Sequence, residues 1–294
     1  MTIHDATHPI WTMVKGSKRR PTWLGHVLIA LGWTLIVAGG LLFFAGKTST
    51  ARHTLGISGV TWLFACTIGF VGGQGVRALG AKMRQKSGKA ALLDDARRPV
   101  LYLRAFGDDS LTGMVVVNSP NRMGETAEFL SEEELVLQGF AALGPVVAIG
   151  LPGELLPKAG ASRLYVADEN WKFVVDAIAI ESALVVLRLG STPGLVWELM
   201  RTDEYIQHAD ILVLVPQNVP EAAYRQLAEI HGLEAIHDIL PHGESIRTLR
   251  GGILLRRGQP VRAFGMDQIL RLPGMLAQGI EMPAGGAENA PSSQ

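Results

Sequence analysis

Two long uncharged stretches open the chain, and short apolar runs separated by polar, glycine- and proline-rich segments fill the remainder. Pro21 to Gly46 has no Asp, Glu, Lys or Arg over 26 positions. At about 1.5 Å per residue this is enough to cross a hydrocarbon core of about 30 Å. Thr54 to Val76 is a second such stretch, of 23 residues. The pattern predicts two membrane-spanning helices within 23–76, preceded by an N-terminal segment, 1–22. The first apolar run is longer than the roughly 7–15-residue core of a signal peptide, and no small-x-small cleavage site follows it. An anchor is therefore expected rather than a cleaved leader.

From Pro99 the period changes. Runs at 99–106, 144–150, 183–189 and 211–215 read as buried strands. Between them, the Ser131-Glu-Glu-Glu134 capping box predicts a helix through Leu143, Asp168 begins a helix around Trp171, and Pro193 to Gln207 forms another. Residues 107–130 read as an insertion carrying a small hairpin around Val115–Val117, and Arg163 to Val166 as a short connecting segment. Glu221 to Leu240 predicts a further helix, and 252–255 with 261–264 a last strand pair. Strands alternating with helices mean α/β, with a mostly parallel sheet covered on both faces. The expected organisation is a basic juxtamembrane linker at 77–98 that continues the second helix before it frays, one α/β domain at 99–281 and a disordered tail at 282–294.

Charge sharpens this division. The whole chain has 27 basic and 27 acidic residues, a mean hydropathy of +0.22 and only 18% charged residues. Residues 1–98 carry 13 basic and 3 acidic side chains, whereas 99–294 carry 14 and 24, so a net +10 cancels a net −10. Eleven Lys and Arg flank the two apolar stretches on their outer sides, and only Lys47 and Arg52 lie between them. By the positive-inside rule both termini are cytoplasmic, and the protein is expected to be two-pass in a bacterial inner membrane, its basic collar facing an anionic inner leaflet. The acidic domain argues against a nucleic-acid partner. Ala65, Gly69 and Gly73 form a small-residue row that suits close approach of the first span or of a second protomer, the latter giving a homo-oligomer. The single cysteine, Cys66, excludes an intramolecular disulfide or a multi-cysteine metal site, and the eight His show no ligand spacing; no metal is expected.

Ligands in open parallel sheets bind beyond the carboxyl ends of the strands, which directs attention to 104–110, 150–154 and 188–198. The run Leu187-Arg-Leu-Gly-Ser-Thr-Pro-Gly-Leu-Val-Trp-Glu-Leu passes from strand to helix, with Thr192 a fitting N-cap and Pro193 suited to the first turn. With Leu195, Val196, Leu199 and Met200 as its apolar face, Trp197 and Glu198 fall on opposite flanks, outside the core. Glu198 could then be a solvated residue paired with Arg201, and Asp168 no more than a helix N-cap.

The segment Gly190-Ser-Thr-Pro-Gly-Leu-Val-Trp-Glu-Leu resembles the Pro-Gly-x-x-aromatic-Glu turn of nucleoside deoxyribosyltransferases. Its Glu also falls where TIR domains carry the Glu of a Ser-x-Trp-Cys-x-x-Glu-Leu motif. The order of a first strand, a Pro152-Gly153 loop after the second and then the Glu helix is likewise TIR-like, over roughly 99–216. Thr192 and Gly194 stand where the TIR motif has Ser and Trp. The resemblance implies a flavodoxin-like (TIR-like) fold and Glu198 acting at the ribose of a nucleotide, with NAD a possible substrate and no resident cofactor. Around it Arg104 and the Thr192 helix start would meet phosphate, and Trp171 or Trp197 a base. Asp108, Glu154 and Gly194 complete the expected substrate-binding set. Three functions are compatible: a nucleotide-recognising signalling module at the membrane, an N-glycosidic-bond-cleaving enzyme with Glu198 central, and a structural membrane partner with a relic pocket.

Overall fold

The computed structural model describes residues 2–15, 22–45, 59–84, 86–104, 114–118, 127–150, 161–190, 192–217, 221–231 and 249–278. It divides the chain into two compact units. One comprises Met1–Ser17, Lys86–Glu154 and Gly160–Gln294, and the other is built on Lys18–Gln85.

The second unit is a helical hairpin. Helix α2 (Thr22–Ala45) contains a 22-residue stretch, Trp23–Phe44, of mean hydropathy 2.4, long and apolar enough to cross a membrane. The returning helix runs as α3 (Gly59–Thr67), a π-helical turn (Ile68–Gly72) and α4 (Gly73–Arg84). The expected second span began at Thr54; residues 54–58 lie outside the described set, and the helix continues past Val76 to Arg84, the linker having been expected to extend it before fraying.

Glycines set how closely these helices pack. A Cβ on Gly32 would lie 2.6 Å from the Gly73 carbonyl oxygen, one on Gly80 2.7 Å from that of Gly25, and one on Gly69 3.0 Å from the Gly39 Cα. Gly25, Gly32 and Gly39, seven residues apart, thus face Gly80, Gly73 and Gly69. Of the two alternatives for the small-residue row, Gly69 and Gly73 pack on α2 of the same chain, while Ala65 is exposed. Arg77 lies over the Trp33 ring at 5.1 Å.

The first unit is an α/β sandwich. Its eight-stranded mixed sheet has the order β1–β6–β5–β2–β7–β8–β9–β10, with β1 at Val14–Lys15, β2 at Val100–Leu103, β5 at Val146–Gly150, β6 at Ser162–Val166, β7 at Leu184–Arg188, β8 at Asp210–Pro216, β9 at Leu249–Leu255 and β10 at Arg262–Gly265. Strands β6, β5, β2, β7 and β8 are parallel, and β1, β9 and β10 are antiparallel additions at the edges. The hairpin expected near Val115–Val117 is present as β3 (Met114–Asn118) and β4 (Ala127–Ser131).

Numbered along the chain, the five parallel strands lie in the order 3-2-1-4-5. The expected flavodoxin-like order is 2-1-3-4-5. The difference is β6, read from sequence as a connecting segment, which pairs with the outer edge of β5. The strand order therefore reverses between β2 and β7, which themselves run parallel.

Alternation along the strands sends Leu101, Leu103, Val185, Leu187 and Val213 to one face and Val100, Tyr102, Val186 and Leu212 to the other. The first face is covered by α1 (Ile10–Met13), α5 (Gly88–Asp94), α7 (Trp171–Glu181), α8 (Pro193–Met200), α9 (Thr202–Tyr205) and α10 (Glu221–His231). The second is covered by α6 (Glu132–Phe140) and α11 (Met266–Ala277).

The N-terminal segment belongs to this unit rather than standing apart. Ile3 and Ile10 are fully buried and Trp11 nearly so in the first-face core, and the Ile3 N–H donates to Glu181 at 3.0 Å. Val14 and Lys15 pair with Val166 and Tyr165. The expected linker is likewise partly domain, since Leu92 on α5 is fully buried.

Candidate functional site

The reversal between β2 and β7 is where an open α/β sheet forms its crevice, because the helices on either side of that point leave to opposite faces. Here α6 follows β2 onto the second face, and α8 follows β7 onto the first. Arg104, half-buried, directly follows β2. Arg188 ends β7 with 5% exposure. Leu103 pairs with Leu187, so the two arginines occupy neighbouring strand ends one position further on, on the Tyr102 face.

Helix α8 starts where the sequence predicts. Thr192 is its N-cap, accepting from the Leu195 N–H at 3.4 Å, and Pro193 fills the first turn. Its roll differs from expectation: Leu195, Glu198 and Leu199 are buried, whereas Met200 is 66% exposed. Leu195 and Leu199, four apart, face the sheet, and Glu198 shares their side of the helix because it lies three residues from Leu195. Glu198 is therefore no flank residue.

Its surroundings are unusual for a carboxyl group. Glu198 is 7% exposed, and its Oε2 has no hydrogen-bond partner. The expected partner, Arg201, instead bonds Asp176 through Nε at 3.2 Å and Nη2 at 3.1 Å, and also pairs with Glu204 at 2.6 Å. The Tyr205 hydroxyl donates to Asp176 at 2.5 Å, so Arg201 is fully committed to that cluster. With no nearby compensation, burial raises the Glu198 pKa to about 8. At neutral pH the group is mainly protonated. It can donate a proton, and a ligand that brings a cation or hydrogen-bond donors to it would draw it back to the carboxylate.

Beside it, Trp171 and Trp197 form an edge-to-face pair with centroids 5.0 Å apart, and Gly194 lies under Trp171, where a Cβ would sit 3.7 Å from the ring. Lys172 Nζ lies over both rings, at 5.8 and 5.1 Å, and the Arg201 guanidinium over Trp197 at 5.9 Å. Trp171, Gly194 and Trp197 are thus brought together, as an aromatic prop between α7 and α8. The α7 N-cap is Asn170, whose side chain makes no capping bond, and not Asp168, which is exposed. The expected Asp108 and Glu154 lie outside the described residues.

At the other end of α8, buried Thr202 donates its hydroxyl proton to the Leu199 carbonyl at 2.6 Å, so His231 Nε2, 2.9 Å away, must be the donor to Thr202. Asp203 lies 3.5 Å from His231 Nδ1, yet burial outweighs it and lowers the imidazole pKa. Among the described residues no group of three His, Cys, Asp or Glu could hold a metal ion.

Arg188 and buried Arg163, which carries 4% exposure in β6, were not singled out from sequence. The signal available was a charged residue within an otherwise apolar, alternating strand. Compared with known families, characterised proteins and solved structures, the chain matches none.

Proposed function

We propose that this protein is a two-pass membrane-anchored module whose cytoplasmic α/β unit recognises a nucleotide at the β2/β7 crevice, in the manner of a TIR-like signalling domain. The observation that carries the reading is Glu198: a nine-tenths buried carboxyl with an unpartnered oxygen, on the helix leaving the strand at which the sheet reverses. Leaving such a group unsatisfied costs about 1–3 kcal/mol, a cost that a ribose hydroxyl donating to it would offset. Arg104 and Arg188 at the neighbouring strand ends suit phosphate.

Chain connectivity supports the anchor. Residues 1–17 and those from 86 onward fold into one unit, so the hairpin between them leaves that unit and returns to it. A segment that does so crosses a bilayer an even number of times, which agrees with the basic flanks of both apolar stretches and with both termini on one side. The flavodoxin-like core remains compatible with the observed strand order if β6 is an edge addition, since the other parallel strands then run 2-1-3-4.

The second reading, cleavage of an N-glycosidic bond, is favoured by the raised pKa of Glu198. A protonated carboxyl can protonate a departing base, and the resulting carboxylate can stabilise the positive charge left on the ribose. The test is to titrate the full chain in detergent with ADP and with NAD while following released nicotinamide. Saturable binding supports recognition; release that Glu198→Gln abolishes supports the enzyme; absence of both binding and release overturns the proposal.

A further inference from the structure

Both connections between the α/β unit and the helical hairpin converge on one strand. On the outgoing side, β1 pairs Val14 with Val166 and Lys15 with Tyr165 of β6. On the returning side, α4 ends at Arg84 and α5 begins at Gly88, so three residues separate them. Ser87 caps α5 by accepting from the Ala90 N–H at 3.2 Å, and Gly88 lies directly on β6: a Cβ there would be 2.6 Å from Leu164 Cγ and 3.0 Å from the Arg163 carbonyl. Only a residue without a side chain lets α5 approach the β6 backbone this closely. The two attachments thus fall within four consecutive residues, 163–166. They are also held to each other. His4 Nδ1 is 2.7 Å from the Leu92 carbonyl and, facing an acceptor, carries the proton there; Lys89 Nζ lies over the Trp11 ring at 5.3 Å; and Ile10, Trp11, Leu92 and Leu164 share the first-face core. Residues 2–15, α5 and β6 therefore form a clamp on the two points at which the chain leaves for the hairpin and returns from it.

From this clamp β6 leads toward the crevice. Tyr165, the partner of Lys15, is also the partner of Gly150, the last residue of β5, and its ring lies across that glycine, where a Cβ would be only 2.8 Å from Cε1. Lys15, Tyr165 and Gly150 make one cross-strand row about 10 Å long at the carboxyl end of β5. On its far side β5 pairs with β2, Ala148 opposite Tyr102, two residues before Arg104. A strand tied to the hairpin through both connections, and separated from β2 by β5 alone, can carry strain between them, since packed elements shift as units rather than deform continuously. We infer that β6 is the coupling element through which a change in the packing of the membrane hairpin alters the crevice. This rests on the nucleotide reading above and adds to it the route by which the site is regulated.

The experiment follows amide hydrogen exchange over 162–166 and calorimetric binding of ADP in the full chain in nanodiscs, with thermal melts showing that each variant is folded. Gly32→Ala and, independently, Gly73→Ala wedge the helix seam, because the added carbon meets a facing carbonyl oxygen at 2.6 and 2.7 Å. Either is expected to speed exchange of the β6 amides and to change ADP affinity at least about fivefold. The same variants are then made in a chain carrying Gly-Ser-Gly-Ser insertions after Gly16 and after Gln85, which lengthen both connections and leave the clamp intact; there both effects should vanish. Unchanged β6 exchange in the wedge variants of the parent chain, or effects that survive the insertions, overturn the coupling. Altered β6 exchange with unaltered ADP affinity overturns regulation of the site while nucleotide recognition stands. Altered exchange that the insertions abolish, in a chain that binds no ADP, keeps β6 as the coupling strand and ends the nucleotide reading.

Discussion

Replacing Glu198 with Gln should make the protein more stable, by an amount that depends on pH. The folded-state pKa, about 8, lies above the unfolded value of 4.5. Between these values the folded chain keeps a proton that the unfolded chain has released. The contribution of Glu198 to stability is therefore complete below pH about 4.5, declines as pH rises and is lost once pH passes about 8. Each pH unit in that window is worth about 1.4 kcal/mol, for a ceiling on the order of 5 kcal/mol. Gln is nearly isosteric with the protonated acid and has no proton to lose. The melting temperatures of native protein and Glu198→Gln should thus coincide near pH 4.5 and diverge by roughly 10–20 °C in favour of the variant at pH 8.5, taking about 2–4 °C per kcal/mol for a unit of this size. Melts of the full chain in detergent at half-unit pH intervals measure this directly. Two curves separated by a constant interval would mean that Glu198 titrates alike in both states, contrary to its burial.

Other substitutions test the frame around the site. Gly32→Leu drives a side chain into the Gly73 carbonyl and the Arg77 backbone, 2.6 and 2.7 Å from the first added carbon; a loss of about 1–3 kcal/mol is expected, read as a lower melting temperature of the full chain in detergent. Trp11→Ala empties a position inside the α/β core and should cost about 3–5 kcal/mol, read as a lower midpoint in urea and faster proteolysis of the α/β unit. Tyr205→Phe removes the hydroxyl bonded to Asp176 and should cost about 1–2 kcal/mol by the same assay. In a Cys66→Ala background, Ser49→Cys in inverted vesicles should resist an impermeant maleimide that labels Ala6→Cys and Ser292→Cys; the opposite pattern would refute the two-pass arrangement.

Much of the α/β unit is legible in sequence because its central strands are buried on both faces and so read as unbroken apolar runs, as in Leu184 to Leu187 and Ile211 to Val215. The edges are harder. Strand β6 carries Arg163 and Tyr165 between Leu164 and Val166, and so lacks the unbroken apolar run by which the central strands are recognised. The N-terminal segment has too few apolar residues to signal a core, yet Ile3, Ile10 and Trp11 find one supplied by distant parts of the chain. Helix α11 runs through Pro273-Gly274, a pair that reads as a turn; Gly139 on α6 leaves room for the proline ring, with a Cβ there only 3.1 Å from it.

The position of Glu198 was legible from its strand-to-helix turn, but its burial was not. Counting Val196 and Met200 into the apolar face rotates the predicted buried side away from Glu198, and only the sheet beneath Leu195 and Leu199 fixes the roll.

Recognition of a nucleotide is proposed to centre on the buried carboxyl of Glu198. Its most direct test is equilibrium binding of NAD to the full chain in nanodiscs at pH 7, run on the native protein, Glu198→Gln and Glu198→Ala. Saturable binding to the native protein and at least tenfold weaker binding to Glu198→Ala are expected, with Gln between them because its amide can still accept one bond from the ribose. Equal affinity in all three proteins, or no binding to any, would contradict it.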